Sequence, residues 1–341
     1  MKGRTIILDD INGVEAAALL VEGHLDDLLI DTPDAPRPGA IFRGICDRPL
    51  KGQGGMMLRL PDGDTAFLRN AKGMRPGQPV LVQVTGYSED GKAIPVTDRV
   101  LFKSRYAIVT PGKPGVNISR QITEDEMRDS LLAVAHAAFD SEMGLILRSS
   151  CAFAATDDIT EDIIAMHDLA AAIMAESNGQ EPEALTEGDG PHALAWREWV
   201  IPADVITEPG GLEALGVHDQ IDRIGQPRID LGDGTMYVES TRALVAVDVN
   251  TGGDTSPAAA LKINLAAARV LPRALRLRGL GGQIAVDFAP MSKAHRKQVE
   301  QSLRAAFRAD AIETSLVGWT TMGLFELQRK RERLPWIGLP K

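Results

Sequence analysis

Two short apolar runs that each end in an aspartate constrain this chain more than any other feature: residues 243–253, holding Asp248 and Asn250, and residues 282–288, holding Asp287. The stretch between them, residues 257–280, reads as one helix. Strand, crossover helix and strand make a βαβ unit whose strands are expected to run parallel. Side chains alternate along a strand. Val245, Val247 and Val249 therefore face one way, with Ala246, Asp248 and Asn250 the other; Ile284, Val286 and Phe288 oppose Ala285 and Asp287. If the strands are neighbours, the carboxylates sit side by side at the carboxyl ends, where open α/β sheets bind ligands. Carboxylates on strands about 5 Å apart repel unless they share a proton or a cation. With the Asn250 amide oxygen beside them they would form an all-oxygen site suited to Mg²⁺ or Mn²⁺. One aspartate ending a strand is more often a cap or turn residue; the repeated pattern, with Asn250 two residues on, favours the metal.

A chain of 341 residues is long enough for two or three units, each with its own core. No apolar run approaches the ~20 residues needed to span a bilayer. The first ten residues carry charges where a secretory leader needs an apolar stretch, so a cytoplasmic location is expected. Cys46 and Cys151 are far apart and form no CxxC, so a zinc site built on them is not expected. The net charge is −10, yet from Ala266 onward fourteen Lys and Arg face six Asp and Glu. A polyanion would be drawn to that segment, although arginines on a helix are equally the mark of a solvated face.

Strands are expected at residues 4–9, 14–21 and 28–30, with Pro33, Pro36 and Pro38 marking a boundary. Five short β-like runs between Gly39 and Phe102 predict a small barrel of the oligonucleotide-binding kind. Strands at 106–110 and 144–148 alternate with helices at 123–139 and 160–176. Thr123 with Glu126 forms a capping box for the first helix, and Thr160 opens the second. Residues 180–191 read as a polar connector, 211–224 as a helix, 228–240 as a hairpin turning at Gly-Asp-Gly, 291–310 as an amphipathic helix and 322–329 as a last strand.

Residues 246–252 (Ala-Val-Asp-Val-Asn-Thr-Gly), 264–268, 275–288, His295 and 322–331 together closely resemble the catalytic core of the ribonuclease E/G family. Upstream, 41–102 is similar to that family's S1 domain, and 105–111, 118–121 and 143–150 to its 5′-end sensor. The resemblance implies an α+β and α/β multidomain protein. An RNase H-like fold, split between 1–36 and 190–240, would carry an inserted S1-like β-barrel at 37–103 and a 5′-sensor-like region at 104–189. A DNase I-like α/β catalytic subdomain would follow at 241–341. The implied activity is Mg²⁺-dependent endonucleolytic hydrolysis of single-stranded RNA, favouring 5′-monophosphorylated substrates and leaving 5′-phosphate products. Carried over position by position, Asp248 and Asp287 are the magnesium ligands, and Asn250 orients Asp248 or the scissile phosphate. Arg148 and the Ser149 hydroxyl, where the family usually has Thr, bind the terminal 5′-phosphate. Phe67 stacks on RNA, and Lys92 contacts the backbone nearby.

Other residues are read from chemistry alone. Arg276 and Arg278 are candidates to meet RNA and offset charge in the transition state. His295 is either a general acid or a helix-face residue. Arg148 equally suits a salt bridge to Asp157, Asp158 or Asp162. Three departures from the family pattern matter. Glu313 stands where a base is expected and would repel phosphate; Met56 or Met57 stands where a second stacking ring would be; and the CPxC zinc link is absent. No zinc and no zinc-linked tetramer are therefore expected, but a monomer or homodimer that binds single-stranded RNA and no membrane. The acidic balance and Glu313 keep open a catalytically weak or inactive RNA-binding relative, and a DNA-directed nuclease is a third reading.

Overall fold

Asn12-Gly13 and Glu22-Gly23 are two-residue turns in which both residues have positive φ, the geometry that folds a right-twisted strand back on itself. They join β1 (Arg4–Ile11), β2 (Val14–Val21) and β3 (His24–Ile30) into an antiparallel meander. The structure, a computed structural model, describes residues 3–335 other than Pro33, Lys51, Gln53 and Asp90. The chain divides into two units, Met1–Ile30 with Ala203–Lys341, and Asp31–Pro202.

The second unit opens with a closed barrel. β4 (Ile41–Leu50), β5 (Gly55–Arg59), β6 (Thr65–Leu68), β7 (Pro79–Val84) and β8 (Ile94–Thr97) run in the order β4-β5-β6-β8-β7, and β7 pairs back onto β4. Met56, Leu58, Ala66, Leu68, Val82 and Val84 fill its interior. The five-stranded barrel expected from the turn spacing is present. A second sheet follows, built from β9 (Phe102–Lys103), β10 (Ala107–Thr110), β11 (Gly115–Ile118) and β12 (Gly144–Leu147) in the order β11-β12-β10-β9. α1 (Asp125–Ala138) and α2 (Thr156–Ala175) share one apolar core with it. The predicted helix starts need correction. α1 is capped at Glu124 with no side-chain hydrogen bond, and α2 starts one turn before Thr160, whose hydroxyl donates to the Thr156 carbonyl. The connector read as loop contains β13 (Glu183–Thr186), which extends the barrel sheet beyond β4. There the buried Arg43 ties β4 to Glu183 and to the Glu176 and Glu181 carbonyls. α3 (Pro191–Glu198) closes the unit, with proline at its first turn.

The chain then completes the first unit. β14 (Asp204–Ile206) pairs parallel to β1. α4 (Gly211–Ala214) and α5 (Val217–Ile224) cover that sheet through Leu212 and Val217. The Asp9 carboxylate accepts from the Gly210 and Leu212 N–H groups at the start of α4. The last sheet uses β15 (Arg228–Asp230), β16 (Gly234–Ser240), β17 (Val245–Thr251), β18 (Gly282–Asp287), β19 (Thr314–Trp319) and β20 (Phe325–Arg329), in the order β15-β16-β17-β18-β20-β19. Only β17 and β18 pair in parallel, as the intervening α6 (Pro257–Leu277) requires. α6 and α7 (Lys293–Ala309) pack on one face, where valines and leucines of β16–β18 and β20 meet Ile263, Leu271, Leu275, Leu303 and Phe307. Ser256 caps α6 through its hydroxyl, followed by Pro257, and Ser292 caps α7 in the same way. Among the described residues no helix is long and apolar enough to cross a membrane.

Candidate active site

The alternation predicted for β17 and β18 is what the structure contains. Val245, Val247 and Val249 are buried, and Asp248 and Asn250 are exposed; in β18, Ile284 and Val286 are buried and Asp287 is exposed. In the parallel register Asp248 lies opposite Asp287, at the carboxyl end of β18 and three residues before the end of β17. On the other flank Tyr237 of β16 lies opposite Asp248, and Thr235 opposite Asn250. Tyr237, Asp248 and Asp287 thus form one row across three strands. Nothing in the linear sequence fixes that row until the hairpin register is known, so Tyr237 was not foreseen.

The Asn250 side-chain amide donates to Asp248 Oδ2 at 2.6 Å. Its N–H side therefore faces the carboxylate, which corrects the expectation of an amide oxygen joining the cation site and leaves Asn250 as the group that orients Asp248. Among the described residues neither carboxylate has an ion-pair partner, and no group of three or more His, Cys, Asp or Glu gathers that could hold a metal. Two uncompensated carboxylates side by side suit a hard cation that keeps several of its waters, which is how Mg²⁺ is usually bound. The residues present fit that ion.

The loop after Asn250 is held from both ends. The Gly252 N–H donates to the Asp233 carbonyl, and a Cβ at Gly252 would lie 2.8 Å from that oxygen, so only glycine passes there. Asp254 accepts from the Ser256 N–H, which holds its carboxyl below the usual range. A cleft of about 640 Å³ opens along this loop, lined in part by Asp233, Gly252, Asp254, Ala259 and Lys262. Lys262 is a second residue the sequence reading missed; its exposed ammonium pairs with Asp233, which raises its pKa. His295 lies in the first turn of α7, and its Nδ1 is buried with no partner among the described residues. The neighbouring Arg296 stacks 4.6 Å from the Trp319 ring centroid.

Other candidates lie in the second unit. Phe67 sits opposite Met57 and Pro95 in the barrel, and its ring crosses Gly55 so closely that a Cβ there would meet it at 2.3 Å. Met56 is buried in the barrel core, so Met57 is the methionine beside Phe67. Lys92 is exposed and pairs with Glu89 at 2.6 Å. Arg148 is held by Glu198 at 2.6 Å and by the Ser104 and Arg197 carbonyls, not by Asp157, Asp158 or Asp162. Asp162 instead accepts from the Ser104 hydroxyl and the Tyr106 N–H. Burial acts to raise the Glu198 pKa, but Arg148 and Arg197 outweigh it and hold the carboxyl below its ordinary value. The Ser149 hydroxyl has no partner among the described residues.

Two candidates are corrected outright. Arg276 and Arg278 are 9% and 4% exposed. Arg276 bridges Asp26, Asp27 and Asp310, and Arg278 donates to the Ala274 and Gln226 carbonyls. Both lie near the C-terminal end of α6, whose N-terminus follows the Asp248 strand, so neither is presented to a strand of RNA at the carboxylates. Glu313, read as a free repelling charge, pairs with Lys330 at 2.5 Å.

Comparison with known proteins adds to this geometry. A sequence model described as the ribonuclease E/G family matches residues 102–202 and 205–332. Ribonuclease E of Nostoc sp. is 28% identical over 375 residues, covering 93% of this chain and 54% of that protein. Ribonuclease G of Salmonella typhimurium is 27% identical over 304 residues, covering 76% of this chain and 61% of that protein. Ribonuclease E of Escherichia coli is 27% identical over 299 residues, covering 76% of this chain and 28% of that protein. The chain thus spans at most about three-fifths of the length of these relatives.

Proposed function

The chain belongs to the ribonuclease E/G family, and on that premise we propose that it is a Mg²⁺-dependent endoribonuclease that hydrolyses single-stranded RNA and leaves 5′-phosphate products. The observation that carries this reading is the register pair Asp248 and Asp287, exposed and without an ion-pair partner among the described residues. These two would hold the cation, with Mn²⁺ an alternative occupant. When bound, the ion supplies Lewis-acid polarisation of a phosphate and a lowered pKa for water. Asn250 fixes the Asp248 carboxylate through its amide N–H. The glycines at 252 and 253 let the backbone of the following loop approach a phosphate closely, and Lys262 on α6 offers the charge assigned earlier to Arg276 and Arg278. The sequence and the site call for no side-chain nucleophile.

In this proposal the second unit supplies RNA binding. Phe67 with Met57 forms a small stacking surface on the barrel, and Lys92 lends a backbone contact. Arg148 and Ser149 would read a 5′-monophosphate, with zinc playing no part and the chain acting as a monomer or homodimer in the cytoplasm. The RNase H-like and DNase I-like assignments of the two sheets of the first unit belong to the same proposal. A specific observation favours a second reading, a weak or inactive RNA-binding relative: Arg148 is already occupied by Glu198, and two other arginines are buried.

The test is cleavage of a fluorescent single-stranded RNA bearing a 5′-monophosphate or a 5′-hydroxyl, with Mg²⁺ or EDTA, by the wild type and by the Asp248→Asn/Asp287→Asn variant. Cutting that needs Mg²⁺ and vanishes in the variant is expected. RNA bound but intact under every condition would replace the enzyme with the binding protein.

A further inference from the structure

A cavity of about 570 Å³ lies in the first unit between α5, β15 and the last turns of α6, within the size range of small-ligand pockets. Four arginines line it, Arg223, Arg228, Arg273 and Arg278, against one carboxylate, Asp230. Arg228 and Asp230 pair only loosely, at 3.9 Å, and both are exposed. Arg278 is 4% exposed and, among the described residues, has no carboxylate partner; its bonds go to the Ala274 and Gln226 carbonyls. Burial accordingly pushes its pKa down to about 10. Arg273 donates through Nε and Nη2 to a single acceptor, the Leu25 carbonyl. A guanidinium carries five N–H donors, so the buried Arg278 and the half-buried Arg273 both keep donors unspent among the described residues. Capping the end of α6 accounts for the bond from Arg278 to Ala274. It does not account for an open cavity around a buried, uncompensated cation, which is costly unless an anion completes it.

The remaining wall is mostly apolar, with Leu25, Ile224, Ile229, Val270 and Leu277 beside the neutral polar side chains of Gln220 and Gln226 and the imidazole of His24. A ligand must therefore match a cationic edge and a greasy floor together. A phosphate monoester brings a charge of about −1.5 to −2, which offsets more of the four-to-one excess than a carboxylate would, and its oxygens match the guanidinium fork. We infer that this cavity is a binding site for a small phosphate monoester with a flat apolar body, of about mononucleotide size. The site is separate from the carboxylate pair. α6 has 21 residues, and at 1.5 Å per residue its two ends lie roughly 30 Å apart. The inference does not depend on the nuclease reading.

Calorimetry in EDTA tests it, with AMP, adenosine and inorganic phosphate as probes. AMP is expected to bind one-to-one with a Kd below ~1 mM, with adenosine and phosphate each at least ten-fold weaker. Arg223→Ala/Arg228→Ala removes only exposed side chains; it should weaken AMP at least ten-fold while leaving the unliganded melting temperature in place. Val270→Trp, which fills the cavity, should abolish binding. Asp248→Asn/Asp287→Asn should leave it unchanged, which keeps this result distinct from any failure of the nuclease reading. No heat with AMP, or AMP binding untouched by Arg223→Ala/Arg228→Ala, overturns the proposal. Inorganic phosphate binding as tightly as AMP overturns the apolar half of it. Displacement of AMP by a 5′-phosphorylated decaribonucleotide at lower concentration than AMP itself would give the cavity to an RNA end and overturn the small-ligand assignment.

Discussion

The contact between Arg148 and Glu198 sets two expectations at the scale of single residues. Glu198→Gln removes the anion that an RNA 5′-phosphate would have to displace, so affinity for 5′-monophosphorylated RNA should rise severalfold, read as Kd against the 5′-hydroxyl form. Because the Glu198 pKa is lowered, the contact stabilises the fold above the ordinary value of 4.5, and that stability is lost as pH falls through the lowered folded value. With Glu198 41% exposed, the loss should stay below about 1 kcal/mol, and the Gln variant should flatten that part of the stability–pH curve. Arg276 behaves differently. It serves Asp26, Asp27 and Asp310 from a site 9% exposed, and Arg276→Ala would leave buried carboxylates short of a cation. Urea unfolding should show a cost of about 3–5 kcal/mol. These residues also mark what the sequence hid. Asp248, Asn250 and Asp287 were legible because strand alternation is local, and two strands with one helix leave little freedom in how they pair. Arg276, Arg278 and Glu198 were not, because an arginine's partners are chosen by tertiary contacts, 50 positions apart for Arg148 and Glu198 and 250 for Arg276 and Asp26.

At the scale of elements, local chemistry predicted type well and ends poorly. The strands at 4–9 and 14–21 and the helix at 257–280 were read correctly in type; the Asn12-Gly13 turn and the Ser256 cap that bound them are findings of the structure. The capping box at Thr123 failed because Glu124 took the cap position, and β13 was missed because Glu183 and Arg43 together let a polar segment pair with a barrel strand. Ser256→Ala should cost about 1 kcal/mol in thermal or urea unfolding, the usual value of a lost hydroxyl cap. Gly55→Ala places a methyl 2.3 Å from the Phe67 ring. The ring must move, so the substitution should cost about 1–3 kcal/mol and weaken single-stranded RNA binding in the same titration, if Phe67 stacks as proposed.

For the whole molecule, charge counting was the least faithful guide. Much of the basic excess beyond Ala266 is consumed inside the first unit, where Arg276, Arg329 and Arg333 face Asp27 and Asp310. What survives at the surface is smaller than the sequence suggested, and binding to RNA should show a correspondingly shallow salt dependence. The order of the chain is more informative than its charge. β1 pairs with β14, nearly two hundred positions later, and the second unit is made entirely between them. Seen in time, a ribosome delivers the barrel and its candidate RNA-contact residues first, with one edge of the opening sheet still waiting for its partner. The two carboxylates come later, and they meet only when residue 287 has emerged. A chain released early would therefore carry the candidate RNA-contact residues without the carboxylate pair.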